Sequence, residues 1–315
     1  STQDITVSIN NLNDNTPSIT SSASMSADEN QTAITTVTAT DADGDLNSVT
    51  FSVSGSELAI TSAGVLTFAS APDFETKSSY TATVTATDGT NSSTQDITVS
   101  VNDINEAPTF TSGTSFSADE NQTAIGTATA SDVDANSSLS FSISGSELAI
   151  TSDGVISFVS APDYETTTSY TATVTVSDGA LEATQTIAVN VNNLNDNTPV
   201  ITLDAEISLN ENILILASPS SSDADGDSLT FSLTGTDSSI LSISSTGVVS
   251  FKDISSNNYE SPADSDSNNT YEFTVSVTDG VNSVASATVV TVANVDEAPA
   301  ISGLASAINV NEGIK

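Results

Sequence analysis

Acidic side chains recur along the chain at a fixed interval, and the chemistry that they offer is oxygen ligation of a cation. One motif occurs three times, 91 residues apart: Asp41-Ala-Asp-Gly-Asp45, Asp132-Val-Asp-Ala-Asn136 and Asp223-Ala-Asp-Gly-Asp227. A Glu-Asn pair keeps the same interval at Glu29, Glu120 and Glu211. Oxygen ligands without His or Cys suit a hard cation, and calcium first, because calcium accepts many carboxylates and carbonyls in a flexible geometry.

More acids accompany this motif in each 91-residue unit. In the first unit they are Asp73, Glu75, Asp88, Asp103 and Glu106, with the amide Asn105 between the last two. The EF-hand calcium loop is excluded, because glycine stands at the fourth position instead of the sixth, and because the twelfth positions hold Ser52, Ile143 and Thr234. The recurrence of the whole set at one period favours ligation over ordinary solvated acids. The isolated acids Asp153, Asp264 and Asp266 are interpreted as surface charges.

The charge balance excludes several classes of partner. The 315 residues include 41 acids and three lysines, with no Arg, His or Cys, and the formal net charge is −38. No basic patch can form to bind nucleic acid, and the same balance argues against anionic membrane surfaces. The sequence contains no run of about 18 apolar residues that could span a bilayer. We therefore predict no nucleic-acid partner and no membrane contact by this segment.

Catalysis is not expected. The chain has no His or Cys to act as nucleophile or base, and no Gly-rich phosphate loop. Paired carboxylates such as Asp73 and Glu75 could serve glycoside hydrolysis, but an active site rarely needs three serial copies. We predict that the chain is not an enzyme and has no catalytic residues.

The elements that must position these acids are β-strands. Apolar residues alternate with Ser or Thr in residues 49–53, 80–85 and 97–101, as half-buried strands require. Several short strands over about 90 residues indicate a two-sheet sandwich with a Greek-key course. Asp-Gly pairs between alternating runs fit tight hairpins: Asp88-Gly89, Asp178-Gly179 and Asp279-Gly280. The predicted core aromatics are Phe51, Phe141, Phe231, Phe68, Phe158, Phe251, Tyr80, Tyr170 and Tyr271.

Proline-containing linkers divide the chain into repeats. Pro17, Pro108 and Pro199 are 91 residues apart, and Pro299 follows after 100, so the third repeat contains an insertion near residues 255–269. The predicted domains are the last strand of a preceding repeat (1–12), repeat 1 (13–104), repeat 2 (105–195), repeat 3 with its insertion (196–296) and the first strand of a following repeat (297–315).

The motifs together resemble the cadherin repeat in its bacterial cadherin-like form, over the whole chain. The resemblance rests on Glu-Asn near the start of each unit, Asp-x-Asp in a loop, Asp163-Tyr-Glu165, a late Asp-Gly, and Asp103-Ile-Asn-Glu-Ala-Pro108 at the joint. It implies an all-β chain of tandem Greek-key (Ig-like/cadherin-like) β-sandwich domains in a linear array. It also implies calcium ions bound between consecutive repeats.

The resemblance groups the metal ligands by joint. The first joint would use Glu29, Asp73, Glu75, Asp103, Asn105, Glu106, Asp132, Asp134 and Asp178. The second joint would use Glu120, Asp163, Glu165, Asn193, Asn195, Asp196, Asp223, Asp225 and Asp279. An N-terminal half joint would use Asn11, Asn13, Asp14, Asp41, Asp43 and Asp88, and a C-terminal half joint Glu211, Glu260, Asn294, Asp296 and Glu297.

Amide substitutions distinguish these joints. Asn11, Asn193 and Asn294 stand where the family has the first linker Asp, and Asn258 replaces the Asp of the Asp-Tyr-Glu motif. An amide carbonyl still coordinates calcium, but each substitution removes a charge and weakens the site. The first joint is therefore expected to bind calcium best.

The expected function is a calcium-rigidified extension module of an extracellular protein, a stalk or fibre at a bacterial cell surface, whose partners are calcium and neighbouring repeats of the chain. Two alternatives remain open. One is an adhesion module that binds a glycan or a second protein, homotypic contacts included, although exposed aromatic platforms are scarce with no Trp and five Tyr. The other is a filament subunit that self-assembles by strand donation through its ends.

Overall fold

The computed structural model describes residues 2–44, 48–135 and 137–298. By internal contacts the chain divides into two compact units. Unit 1 comprises Ser1–Phe116, Ala124–Val159 and Thr171–Ala188, and unit 2 comprises Ser117–Thr123, Ser160–Tyr170 and Val189–Lys315. The predicted ligands of the first joint all belong to unit 1, and those of the second joint all belong to unit 2.

Nine strands form the first repeat. They are β1 Ser18–Ile19, β2 Ser24–Asp28, β3 Ala33–Thr36, β4 Ala39–Thr40, β5 Thr50–Val53, β6 Leu58–Ile60, β7 Val65–Phe68, β8 Ser79–Thr87 and β9 Ser92–Asn102. A four-stranded sheet has the order β2-β9-β8-β5, and a three-stranded sheet the order β3-β7-β6. Strand β2 runs parallel to β9, with Ser24 opposite Thr98, while β8 and β9 form an antiparallel hairpin. The short pair β1-β4 completes the repeat.

The second repeat has the same strands in the same order. They are β10 Thr109–Phe110, β11 Ser115–Asp119, β12 Ala124–Thr127, β13 Ala130–Ser131, β14 Ser140–Ile143, β15 Leu148–Ile150, β16 Val155–Phe158, β17 Ser169–Ser177 and β18 Glu182–Asn192. The sheet orders are β11-β18-β17-β14, β12-β16-β15 and β10-β13.

The third repeat keeps this topology around longer loops. Its strands are β19 Val200–Thr202, β20 Glu206–Asn210, β21 Ile215–Ala217, β22 Ser220–Ser222, β23 Thr230–Thr234, β24 Leu241–Ile243, β25 Val249–Phe251, β26 Thr270–Thr278 and β27 Ser283–Ala293. The sheet orders are β20-β27-β26-β23, β21-β25-β24 and β19-β22. Two short 3₁₀ turns, Ser238–Ile240 and Ile254–Ser256, lie in the loops. The predicted insertion lies between β25 and β26.

Alternation of apolar and polar residues accounts for the sandwich. In β9 every second side chain from Ile97 onward is buried, so one face of the strand meets the core. In the first repeat Leu66 and Phe68 of the smaller sheet pack in one cluster with Val84 and Val99 of the larger sheet. The predicted all-β tandem sandwich is confirmed.

The aromatic pairs of the predicted core lie where the pattern places them. Phe68 and Tyr80 meet edge to face with ring centroids 5.0 Å apart, and Phe251 and Tyr271 repeat this contact at 5.0 Å. Such pairs contribute about 0.5–1.5 kcal/mol beyond the area they bury. Phe68, Phe158, Phe251 and Tyr271 are fully buried.

Two other features of the sequence have structural outcomes. The turn at Gly64 requires glycine, because φ is +88° and a Cβ atom would lie 2.2 Å from the Val37 carbonyl oxygen.

Residues 2–12, predicted as the last strand of a preceding repeat, form no strand and expose Ile5 and Ile9. Most of the predicted strand 297–315 lies outside the described residues, and both assignments stay predictions. Among the described residues no helix is long and apolar enough to cross a membrane.

Candidate metal centres

Glu29 organises the first joint from a buried position. Its side chain is only 4% exposed. Oε2 accepts a hydrogen bond from the Phe74 N–H at 2.8 Å, and Oε1 accepts from the Ile104 N–H at 2.9 Å. One carboxylate therefore holds both the loop that carries Glu75 and the linker that carries Asp103.

The acids of the first joint lie close together without neutralisation. Carboxylate oxygens of Glu29, Glu75 and Asp103 all lie within 4.8 Å of one another. The pKa of Glu75 is raised by partial desolvation and then by the charges of Glu29, Asp103 and Glu106. The pKa of Asp103 is also raised, by partial desolvation and then by the Asp134 carboxyl and the charge of Glu29. Both carboxyls thus lie in the field of neighbouring negative charges, which a bound cation would offset.

Glu106 connects the linker to the loop of the Asp-x-Asp motif. Its N–H donates to Asp134 Oδ2 at 2.8 Å, and its Oε1 accepts from the Asn30 amide at 2.6 Å. Desolvation raises the pKa of Glu106, and the charges of Glu29, Asp134 and Asp103 add to it. Its second oxygen, Oε2, is buried and has no hydrogen-bond partner, and the same is true of Oδ2 of Asp132. Buried carboxylate oxygens without donors are the positions at which a cation would replace lost solvation.

The remaining predicted ligands of the first joint have separate roles. Asp103, Asn105, Asp134 and Asp178 line an open depression of about 550 Å³. The Asn105 amide donates to Asp178 Oδ2 at 2.9 Å. Backbone N–H groups of Leu181 and Ala180 hold the pKa of Asp178 below its usual range. Asp73 instead accepts from the Thr76 N–H and hydroxyl, and so orders its own turn.

Glu120 occupies the corresponding position in the second joint. It is 2% exposed, and it accepts from the N–H groups of Tyr164 and Leu194, both at 2.8 Å. Oxygens of Glu120, Asp163 and Glu165 lie within 4.8 Å of one another. The two backbone contacts of the buried glutamate are therefore repeated in the second joint. The carboxylate group differs, because Asp163 takes part here and Asp103 takes part in the first joint.

Amide groups enter the second joint between its acids. Asn197 Nδ2 donates to Asp225 Oδ1 at 2.7 Å, to Asp196 Oδ1 at 3.0 Å and to Glu165 Oε2 at 3.3 Å. The Asn197 side chain is the main cause that holds the pKa of Asp225 below its usual range. Asn193 donates to the backbone carbonyl of Asp225 at 2.9 Å. Part of the negative charge is thus compensated by the linker itself.

Open oxygens remain in the second joint. Oδ2 of Asp223 and Oδ2 of Asp279 are buried without a hydrogen-bond partner. Desolvation raises the pKa of Glu165, and the charges of Glu120, Asp225 and Asp163 add to it. Oxygens of Glu165, Asp196 and Asp225 form one group within 4.8 Å, and those of Asp223, Asp225 and Asp227 form another. The Asn195 amide donates to the Asp279 carbonyl at 3.4 Å.

The N-terminal half joint has the amide pattern of the second joint. Oxygens of Asp41, Asp43 and Asp88 lie within 4.8 Å of one another, and Asp41 Oδ2 is buried without a hydrogen-bond partner. Asn11 donates to the Asp43 carbonyl at 3.0 Å, as Asn193 does to Asp225. The other predicted ligands of this half joint make local contacts. Asn13 donates to Thr90 Oγ1, and Asp14 accepts from the Asn15 amide. Asp88 accepts from the N–H groups of Thr90 and Asn91.

The C-terminal half joint keeps the buried glutamate and little else. Glu211 accepts from the Tyr259 N–H at 2.9 Å and the Val295 N–H at 2.8 Å, and these bonds lower its pKa. Glu260 accepts from the Asn294 amide at 2.9 Å. Glu297 accepts from the Asn212 amide at 3.3 Å, and Asp296 is exposed.

Sequence reasoning missed two kinds of residue in these joints. One is the Asn of each Glu-Asn pair: Asn30, Asn121 and Asn212 have φ between 60° and 63°, and each donates its amide to a linker acid. The other is the late linker Asn, of which Asn197 and Asn15 are the examples. Two signals in the sequence could have identified these residues. Glu-Asn recurs at one interval, and the same linker sequence occurs at 11–17 and 193–199.

The donor set fits calcium. The clusters offer carboxylate and amide oxygens, and several of their buried oxygens have no hydrogen-bond donor. Lysine does not compete in the part of the chain that the structure describes, because Lys77 pairs with Glu57 and Lys252 donates to the Ser239 carbonyl. Hard oxygen ligands in flexible loops suit calcium better than transition metals.

Comparison with known proteins agrees with this fold. The family model for the cadherin domain matches residues 21–102, and that for the bacterial Ig domain matches residues 105–191 and 195–292. The chain superposes on protocadherin gamma B2 extracellular cadherin domains 3–6 with a TM-score of 0.60 at 23% identity, covering 90% of this chain and 79% of that one. The class is therefore that of cadherin-like tandem β-sandwich repeats, as the sequence predicted.

The family follows from the extent of the second match. Because the bacterial Ig domain model covers more than half of the residues, the chain belongs to the bacterial Ig domain family. Human protocadherin Fat 1 is 31% identical over 228 residues, 64% of this chain and 5% of that protein. Chitinase A of Pseudoalteromonas piscicida is 35% identical over 131 residues, 41% of this chain and 16% of that protein. The chain spans only a small part of the length of these curated relatives.

Proposed function

We propose that this chain is a calcium-rigidified extension module, a stalk or fibre segment of an extracellular bacterial surface protein. Calcium would be held at the joints by the ligand sets predicted from the sequence, with the domain boundaries also as predicted. The ions would supply positive charge among carboxylates that otherwise repel one another. Each linker would then lose its freedom relative to the loops on either side of it.

The observation that carries the proposal is the first joint. Glu29 holds loop and linker through two backbone N–H groups, yet it lies within 4.8 Å of the Glu75 and Asp103 carboxylates. At neutral pH such a cluster of like charges either binds a cation or is driven apart by repulsion. The raised pKa values of Glu75, Asp103 and Glu106 express the same conflict.

Small-angle X-ray scattering tests the proposal. The 315-residue chain is measured in CaCl₂ and in calcium-stripped buffer at equal ionic strength. We expect the maximum dimension to be larger and the profile to fit a stiffer particle when calcium is present. The comparison variant is Glu29→Gln combined with Glu120→Gln. It removes one charge from each joint and should reduce the calcium-dependent increase in maximum dimension. A profile that is the same with and without calcium contradicts the proposal.

A second candidate function is carbohydrate association. Its support is the similarity to chitinase A, a protein whose name denotes action on chitin. The described surface offers few aromatic platforms for sugar rings, and Tyr259 is the most exposed of the tyrosines at 38%. Co-sedimentation of the chain with insoluble chitin tests it, with Tyr259→Ala as the variant. Retention that Tyr259→Ala abolishes supports this function, and a chain that stays in the supernatant contradicts it.

A further inference from the structure

The insertion of the third repeat contains an acidic loop that belongs to no joint. Its residues run Asp264-Ser-Asp-Ser-Asn268 and lead directly into β26. The sequence predicts that Asp264 and Asp266 are surface charges, and for Asp264 this prediction is wrong, because the residue is only 6% exposed. Asp266 remains exposed. A buried acid in an inserted loop needs a physical reason, because desolvating a carboxylate is costly.

Hydrogen bonds engage one oxygen of each of these two acids. The Asn268 N–H donates to Asp264 Oδ2 at 2.7 Å, and the Asn268 amide donates to Asp266 Oδ2 at 2.8 Å. Oδ1 of Asp264 is buried and has no hydrogen-bond partner. The Asp264 carboxyl also lies against Asp266, whose pKa is raised by partial desolvation and then by this contact with Asp264. The open oxygen of Asp264 therefore belongs to an acidic pair that has no donor for it.

Asp237 fixes this loop against the sheet. It is 4% exposed, and its two oxygens accept from the N–H groups of Ser265 and Glu272, each at 2.8 Å. Both oxygens of Asp237 are therefore engaged by backbone N–H groups, and the residue positions the loop. Its charge nonetheless adds to the field at Asp266. Asp237 therefore positions the loop, while Asp264 and Asp266 are the two acids whose carboxyl groups lie against each other.

We propose that the inserted loop is a calcium site of its own, in which Asp264 and Asp266 bind one ion within the third repeat and Asp237 positions the loop. The open Asp264 oxygen is the observation that points to a ligand. The loop is not an EF-hand, because Asn269 stands where that loop requires glycine and Val275, within β26, stands at its twelfth position.

The site should be weak, for a reason that is visible in the sequence. Position twelve of the loop is Val275, so the bidentate glutamate of a high-affinity loop is missing. A dissociation constant of about 0.1–1 mM, typical of extracellular modules, is expected. The ion would order the insertion and leave the joints unaffected.

Backbone amide NMR of the full 315-residue chain tests the site with CaCl₂ as the probe. We expect the amides of Ser265 to Thr270 to shift and saturate below about 10 mM calcium. Asp266→Asn removes one charge at an exposed position and should keep the fold, yet raise the dissociation constant at this loop at least about fivefold. Asp264→Asn, which keeps an acceptor for Asn268, should do the same.

Two controls separate this site from the joints. Asp153→Asn changes an exposed acid of the second repeat and should leave the loop affinity unchanged. Asp103→Asn with Glu106→Gln weakens the first joint and should also leave the loop affinity unchanged. Loop shifts that persist when the joint amides do not respond support this site while contradicting the proposed function. Loop amides that do not move by about 10 mM calcium, or an Asp266→Asn dissociation constant within about fivefold of the wild-type value, overturn the site.

Discussion

In the first joint the linker acid Asp103 lies beside the Asp134 carboxyl, whereas in the second joint the residue at the same position, Asn193, donates to the Asp225 backbone carbonyl. The buried glutamates Glu29 and Glu120 make the same two backbone contacts in both joints. The scaffold is therefore constant while the charge differs. The hydrogen bonds that shape a joint can therefore be retained while the negative charge that a cation would neutralise is reduced.

A second residue strengthens the contrast. Asn197 reaches Glu165, Asp196 and Asp225 with one amide. In the first joint the Asn30 and Asn105 amides each reach a single carboxylate. Internal donors therefore replace part of the counter-charge in the second joint. We expect that joint to be better ordered without calcium and to bind calcium less tightly.

The largest expected effect concerns what the two joints share. Glu29→Ala and Glu120→Ala each leave two backbone N–H groups without acceptors, and each should reduce local stability by about 2–4 kcal/mol. Native-state hydrogen exchange at Val99 for the first variant, and at Val189 for the second, measures the free energy of opening. Asp153→Ala, an exposed site, is the control. A loss in only one of the two joints would contradict a common scaffold.

The next effect concerns what differs. Asp103→Asn should weaken calcium binding at the first joint about tenfold, and Asn193→Asp should strengthen it at the second joint by a similar factor, because affinity follows ligand charge. Amide NMR titration with CaCl₂ at Ile104 and Leu194 reports the two joints separately. If the two exchanges leave the ratio of affinities unchanged, linker charge does not set the difference.

Much of this comparison was accessible from the sequence, because it depends on local patterns. Alternation located the long strands such as β8 and β9, and the 91-residue interval located the acids. The roles of Glu29 could not be derived in this way. Its two partners, Phe74 and Ile104, lie 45 and 75 residues away, so their positions depend on how the sheets pack.

The burial of Asp264 also depends on residues that are distant in the sequence, so it could not be predicted from local patterns. The acids of the insertion are visible in the sequence, but Asp264 is buried because the Asn268 N–H binds its carboxylate and Asp237 holds the loop against the sheet. Asp237 lies 28 residues from its partner Ser265. Exposure is a property of the packed loop, and composition alone favours the surface for an Asp in a Ser-rich segment.

A smaller effect is expected from Asn197→Ala. Because the Asn197 side chain is the main cause that lowers the pKa of Asp225, its removal should raise that pKa toward the usual range. A carboxyl with a lowered pKa stabilises the fold above its unfolded pKa of about 3.9 and loses this contribution as the pH falls further. The variant should lose part of that acid-sensitive stability. Carbon-13 NMR titration of the Asp225 carboxyl measures its pKa, and Asn258→Ala is the control. A pKa of Asp225 that is unchanged in Asn197→Ala would contradict the role of Asn197.

The smallest effect is a difference in pH response without calcium. Glu75, Asp103 and Glu106 have raised pKa values, so their charged forms destabilise the first joint above those values, and the penalty disappears as the pH falls through them. Between pH 7 and the ordinary carboxyl range near about 4, protection of the Ile104 amide should therefore increase. In the second joint the raised pKa of Glu165 is opposed by the lowered pKa of Asp225, so the Leu194 amide should gain less. Hydrogen exchange in calcium-stripped buffer, corrected for the intrinsic pH dependence, measures both amides. Equal gains at the two positions would mean that the amides of the second joint do not compensate its charge.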